Sequence, residues 1–225
     1  MELREYMSIR RAYNLVRQNV EASNRLTFAE FAILCRLHLS GGTLKTSEIA
    51  DYQGSLRPTM THRTKHLARL SLIDRVKGEV DKRNIVCKLT PEGTSYLLDL
   101  CELTCDAITS GRALSRISPE RVCRYVDSMG AVPCMAGELV LLGLYSLKDE
   151  SCSVTDLVEE LGLLQPTVSM SVASLTEDGL VERYTIDSPT MRSGRVRLSE
   201  EGRAIAEDLA EQISQIVVRR KVRSR

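Results

Sequence analysis

The sequence predicts a mainly α fold with small β-hairpins, arranged as tandem winged helix-turn-helix domains with long association helices. Three observations carry that expectation. The chain has 225 residues and 43% apolar content, enough for two cores at roughly 100–150 residues per domain. It matches itself at a fixed offset. Within each copy, helix-period segments give way once to a pair of short alternating ones.

The self-match is explicit. Pro58-Thr59, Leu67, Leu72 and Arg75 recur as Pro166-Thr167, Leu175, Leu180 and Arg183, a constant offset of 108. Leu89, Glu92 and Gly93 recur as Leu198, Glu201 and Gly202 at 109, so one residue is gained between positions 75 and 89, as a hairpin tip allows. The expected modules are 1–112 and 113–225.

The first copy reads in order. Residues 3–22 form an amphipathic helix, and Thr27 caps a second one whose apolar side carries Phe31, Leu34 and Leu37. Gly41 and Gly42 end it. Thr46 or Ser47 caps a short helix that stops at Gly54, and Ser55 opens another running through Leu70. LIDRVKG and NIVCKLT then flank a polar stretch from Gly78 to Arg83 as a hairpin. Helix-turn-helix followed by hairpin is a winged helix. The second copy repeats the plan: a helix near 136–147, one from Ser153 to Leu161 with capping-box spacing at Asp156, Gly162, a helix from Leu164 to Asp178, and a hairpin. Closing helices over 91–111 and 199–218 have the length of association helices.

Composition excludes several classes. No apolar run approaches the ~20 residues that cross a bilayer, and the opening residues are charged rather than signal-like, so a cytoplasmic protein is expected. Seven cysteines are scattered without a CxxC pair and read as reduced core thiols, with a redox-sensing thiol as the alternative. Cys101 and Cys105 lie one helical turn apart, yet no His or further Cys follows at ligand spacing; neither a metal nor a cofactor is expected. The three histidines, His38, His62 and His66, have no nucleophile partner pattern, and no glycine-rich phosphate loop occurs, which argues against an enzyme.

Charge separates the copies. The formal net charge is +1, but residues 1–117 carry +5 and residues 118–225 carry −4. Five cations of the second half (Arg219, Arg220, Lys221, Arg223, Arg225) sit in a C-terminal tail, without which its balance is −9. The tail reads equally as a phosphate-grasping arm or a solubilising end.

With these elements in place, LTFAEFAIL (26–34) and DKRNIVCKLTPEG (81–93) resemble the bacterial MarR-type winged-helix regulators, and LLQPTVSMSVASLTEDGLVER (163–183) with RSGRVRLSEEG (192–202) resembles them again. The resemblance implies a dimeric, ligand-relieved repressor with a small aromatic or phenolic effector. Because such proteins have about one repeat's length, a two-repeat chain looks like a dimer fused into one polypeptide.

In a helix-turn-helix the second helix enters the major groove. At 100° per residue, Met60, Thr64 and Leu67 share one face, while Thr61, His62, Lys65 and Arg69 lie opposite as the reading face. Arg57 at its start and Arg63 at its margin are placed to hold backbone phosphates, and Thr59 is a further DNA-binding candidate. Lys82 and Arg83 sit at the hairpin tip, where cations enter a minor groove, and Asp81 orients Arg83. The resembled family tends to carry Arg where His62 and Met170 stand, so both copies depart from it. The second copy departs further: Ser169, Met170, Ala173 and Glu177 replace Thr61, His62, Lys65 and Arg69, leaving no cation on that helix, and Thr190 replaces Asp81. Thr167, Ser169, Arg192 and Arg195 are its remaining DNA candidates. His62 and His66 stand one turn apart at metal-ligand spacing, but on a basic helix DNA contact fits better.

The expected function is therefore a sequence-specific DNA-binding transcriptional regulator that binds double-stranded DNA through an asymmetric operator, as a monomeric pseudo-dimer or a homodimer. The alternative is a ligand- or protein-binding adaptor that uses winged helices as scaffolds and has little DNA affinity.

Overall fold

The computed structural model describes residues 1–78, 84–109, 113–114, 116–147, 151–188 and 191–218. Helix α1 (Leu3–Gln18) is shorter than the sequence predicts. Glu21 leaves helical dihedrals at φ −55°, ψ 139°, and Arg25 donates to the carbonyls of Gln18 (3.2 Å) and Val20 (2.8 Å), satisfying acceptors that a longer helix would have used itself.

Thr27 caps α2 (Phe28–Leu39) in a full capping box with Glu30, and Gly41 and Gly42 leave the helix at φ +83° and +86°, a region only glycine occupies without strain. A short strand, β1 (Thr43–Lys45), follows, one that sequence periodicity does not reveal. Then come α3 (Thr46–Tyr52), α4 (Arg57–Arg69), β2 (Ile73–Lys77), β3 (Ile85–Leu89) and α5 (Pro91–Asp106). The strands form one antiparallel sheet in the order β1-β3-β2.

The second copy begins with α6 (Pro119–Met129), unforeseen in the sequence reading, and continues with α7 (Ala136–Ser146), α8 (Val154–Leu161), α9 (Gln165–Glu177), β4 (Val181–Ser188), β5 (Met191–Leu198) and α10 (Glu200–Ser214). The duplication extends to atomic detail. Leu44 of β1 pairs with Cys87, and its counterpart Cys152 makes an isolated bridge to Val196, the counterpart of Cys87. Met60, Thr64 and Leu67 are buried in α4, as are Val168, Val172 and Leu175 in α9. Thr90 and Ser199 cap the helices after the wings by accepting from the N–H of Gly93 and Gly202, at 2.8 and 3.0 Å. At both glycines a Cβ would lie 1.9 Å from a carbonyl oxygen, that of Leu72 or Leu180, so both positions need glycine for close approach rather than for an unusual φ.

Contacts divide the chain into two units that cut across the repeats. One contains Val16–Thr109 with Ser115–Pro133, and the other contains Met1–Leu15 with Cys134–Gln215. The first winged helix thus folds with α6, which packs on α2 and α5. There Arg36 approaches Asp127 at 3.5 Å and lies 3.6 Å over the Tyr52 ring, while the Tyr52 hydroxyl donates to the same carboxylate at 3.2 Å. Burial raises the Asp127 carboxyl from its ordinary 3.8 to about 6, against the opposing pull of Arg36.

The second winged helix folds with most of α1. Tyr6, Ile9 and Tyr13 are buried, Asn14 donates to the Leu161 carbonyl at 2.9 Å, and Arg10 donates to that of Cys134 at 2.8 Å. Gly162, at φ +60°, lets the end of α8 approach α1, since a Cβ there would meet the Arg11 carbonyl at 2.7 Å. Among the described residues no helix is long and apolar enough to cross a membrane.

Candidate nucleic-acid interface

Helix α4 is amphipathic in the sense its sequence predicts. Pro58 sits in its first turn, and its buried stripe of Met60, Thr64 and Leu67 seats it on the core. Thr64 satisfies its hydroxyl within the helix by donating to the Met60 carbonyl at 2.9 Å, so burying it leaves no orphan. The opposite side turns Arg57, Thr59, His62, Lys65 and Arg69 to solvent, with Thr61 half-buried at the margin. No acidic residue occurs anywhere in the helix.

Two of its polar residues are half-buried and make contacts that hold the helix in place. His66 Nδ1 lies 2.7 Å from Glu30 Oε1, while Glu30 Oε2 accepts from the backbone N–H and hydroxyl of Thr27 at 2.7 and 2.9 Å. The buried Glu30 carboxylate therefore joins the N-terminus of α2 to the last turn of α4, which takes His66 out of any pairing with His62. Arg63 is half-buried and donates to the Ser55 hydroxyl at 3.0 Å, and burial makes its guanidinium less basic than usual. Its position suits bracing the turn before α4.

Where the wing meets the helices, Thr46, Ser47, Arg57, Thr61, Arg75, Asn84 and Ile85 line a cleft of about 150 Å³. Its guanidiniums and hydroxyls are the donor types that hold phosphate oxygens. The Arg75 Nε atom is buried with no hydrogen-bond partner among the described residues. Sequence reasoning singled out Arg57 and Thr61 but missed Thr46, Ser47, Arg75 and Asn84, which only the sheet brings together. The repeat of Arg75 as Arg183 was the available signal. Lys82 and Arg83 lie outside the described residues, as does the cationic tail beyond residue 218.

The second copy presents a different surface. On α9, Thr167 and Ser169 are half-buried, Met170 is 73% exposed, and Glu177 is the single charged residue. Arg195 is held within its own module: its guanidinium donates to the Ser151 carbonyl at 3.1 Å and lies 3.9 Å from Asp156 at the start of α8. Arg192 stands in β5, in register with Asp187.

Two helix-turn-helix units, each with a β-hairpin behind it and a capped helix following the hairpin, define a tandem winged-helix architecture, one that DNA-binding regulators use. Comparison with known families places each copy. The MarR family model matches residues 26–85, and the model for bacterial regulatory proteins of the arsR family matches residues 141–183. The first repeat is thus MarR-like, and the second carries a related helix-turn-helix signature. Among solved structures the chain is similar to the YusO protein from Bacillus subtilis, at 23% identity over 53% of this chain and 79% of that one, with a TM-score of 0.38. It is also similar to the transcriptional regulator BldR from Sulfolobus solfataricus, at 21% identity over 49% and 74%, with a TM-score of 0.40. A third is a mutant MarR from E. coli complexed with operator DNA, at 18% identity over 49% and 81%, with a TM-score of 0.34. No curated protein matches the chain.

Proposed function

We propose that this chain is a transcriptional regulator whose two unlike repeats, 1–112 and 113–225, act as a fused pseudo-dimer on an asymmetric operator. The first repeat supplies most of the reading and most of the electrostatic affinity. The observation that carries this is the contrast between the two second helices. Helix α4 turns Arg57, His62, Lys65 and Arg69 to solvent with no acid among them, whereas α9 has no cation at all. Neutralising phosphates provides most sequence-independent affinity, so a cation-free helix contributes little of it.

In this reading Thr59, Thr61, His62, Lys65 and Arg69 of α4 face the major groove. Arg57 at its start and Arg63 at its margin hold phosphates, the cleft beside Arg57 and Arg75 takes a backbone phosphate, and Lys82 and Arg83 reach the minor groove from the wing. Thr167, Ser169, Arg192 and Arg195 make the lesser contacts of the second repeat. A small aromatic or phenolic effector that relieves binding belongs to the same reading, on the resemblance to MarR-type regulators, and a thermal-shift screen of such compounds tests it.

Selection of bound fragments from random duplex DNA tests the proposal. It predicts a site with one strongly specified half and one degenerate half, and Arg83→Ala and Lys65→Ala should weaken binding to it far more than Met170→Ala. A clean palindrome would point to two chains using their basic repeats. No enrichment at physiological salt would point to the adaptor alternative.

A further inference from the structure

Seven cysteines dispersed through the sequence do not stay dispersed in the fold. Cys35 from α2, Cys101 from α5 and Cys123 from α6 converge in the unit that contains the first winged helix, with their three sulfur atoms all within 4.8 Å of one another. All three are buried, with residue exposures of 0%, 1% and 4%. Cys105, which shares α5 with Cys101, turns away and donates to the Ile117 carbonyl at 3.1 Å. None of the seven cysteines is in a disulfide.

The arrangement has the dimensions of a metal site. A zinc–thiolate bond of about 2.3 Å places sulfurs about 3.8 Å apart around a tetrahedral ion and about 4.0 Å apart around a trigonal one, so the observed spread needs only slight contraction. The donor set is purely thiol: among the described residues no histidine nitrogen or carboxylate oxygen joins the three sulfurs. Such a site favours soft, thiophilic ions over oxygen-seeking ones. Binding as thiolates, the three side chains would release their protons as the metal enters.

We propose that Cys35, Cys101 and Cys123 form a three-thiolate binding site for a soft, thiophilic metal ion. An ion there would tie α2, α5 and α6 together. Because α2 also carries Glu30, the partner of His66, the site lies one helix away from α4. The proposal stands apart from DNA binding and is tested without DNA.

The test is titration of the reduced full-length chain with Cd(II), followed by sulfur-to-metal charge-transfer absorption. One equivalent per chain is expected. Cys35→Ser, Cys101→Ser and Cys123→Ser should each weaken binding at least tenfold, while Cys105→Ser and Cys152→Ser should titrate like the parent. X-ray absorption on the one-equivalent parent complex should count three sulfur neighbours, and this measurement decides the matter even where a serine variant fails to fold. Absence of the band, a band insensitive to all three substitutions, or fewer than three sulfurs would show that the thiols are core packing alone.

Discussion

Replacing Lys65 and Arg69 together by alanine removes two of the cations that α4 turns outward while leaving its buried stripe intact. Each phosphate contact contributes about 0.9 to the slope of log affinity against log salt, so two lost contacts should flatten that slope by about 1.8. Between 50 and 200 mM salt, the parent should then lose about twelve times more affinity than the double variant. Both side chains are exposed, so stability should change by no more than about 0.5 kcal/mol. Fluorescence anisotropy on a labelled selected duplex at several salt concentrations measures the slope, and thermal denaturation checks the fold. Met170→Ala and Glu177→Ala on α9 serve as matched controls and should leave the slope where it was. A double variant with the parental slope, or α9 variants that flatten it equally, would refute the assignment of DNA contact to the first repeat.

Other predictions concern the scaffold. Gly93→Ala and Gly202→Ala should each destabilise the chain by roughly 3 kcal/mol or more, beyond ordinary overpacking, because the added carbon falls 1.9 Å from a backbone carbonyl; chemical denaturation losses under about 1 kcal/mol would contradict this. Asp127 titrates near 6 when folded against an ordinary 3.8, so the native state holds its proton more tightly than the unfolded chain does. Stability should therefore fall as pH rises from about 4 to about 6, by roughly 3 kcal/mol, and level off above; Asp127→Asn should remove that decline, as denaturation across the pH range would show. Glu30→Ala strips both the α2 cap and the partner of His66 and should cost roughly 2–4 kcal/mol, whereas Thr27→Ala, which loses the cap alone, should cost about 1 kcal/mol. Equal losses for the two would mean that the contact between Glu30 and His66 contributes nothing.

The sequence is most informative where a local signal has one physical meaning. Thr27, the glycine pair 41–42 and Gly162 each mark a helix end in the sequence and in the structure, whereas the caps expected at Thr46 or Ser47 and at Ser55 fall instead at Lys45 and Leu56. The spacing of Met60, Thr64 and Leu67 identifies the buried face of α4 because a helix has a single period. Features that depend on distant residues are harder to read. Strand β1 is three residues long, too short for alternation, and exists because Leu44 meets Cys87 across the sheet. Ser118-Pro119-Glu120 is a usable helix start, yet the role of α6 lies in packing on α2 and α5. Neither the thiol cluster nor the cleft beside Arg75 has a sequence spacing to betray it, since three or more elements build each. The use of Arg195 by Ser151 and Asp156 is likewise tertiary, so a basic residue in the second wing looked freer in the sequence than it is in the fold.

The central claim, that one chain carries two unequal DNA-reading repeats, is tested most directly by hydroxyl-radical footprinting on the selected site at one chain per duplex, with stoichiometry fixed by light scattering. The account predicts strong protection over one half-site, weak protection over the other, and loss of the strong half when Lys65 and Arg69 are replaced. Equal protection of both halves by a single chain, unchanged in that double variant, would contradict it.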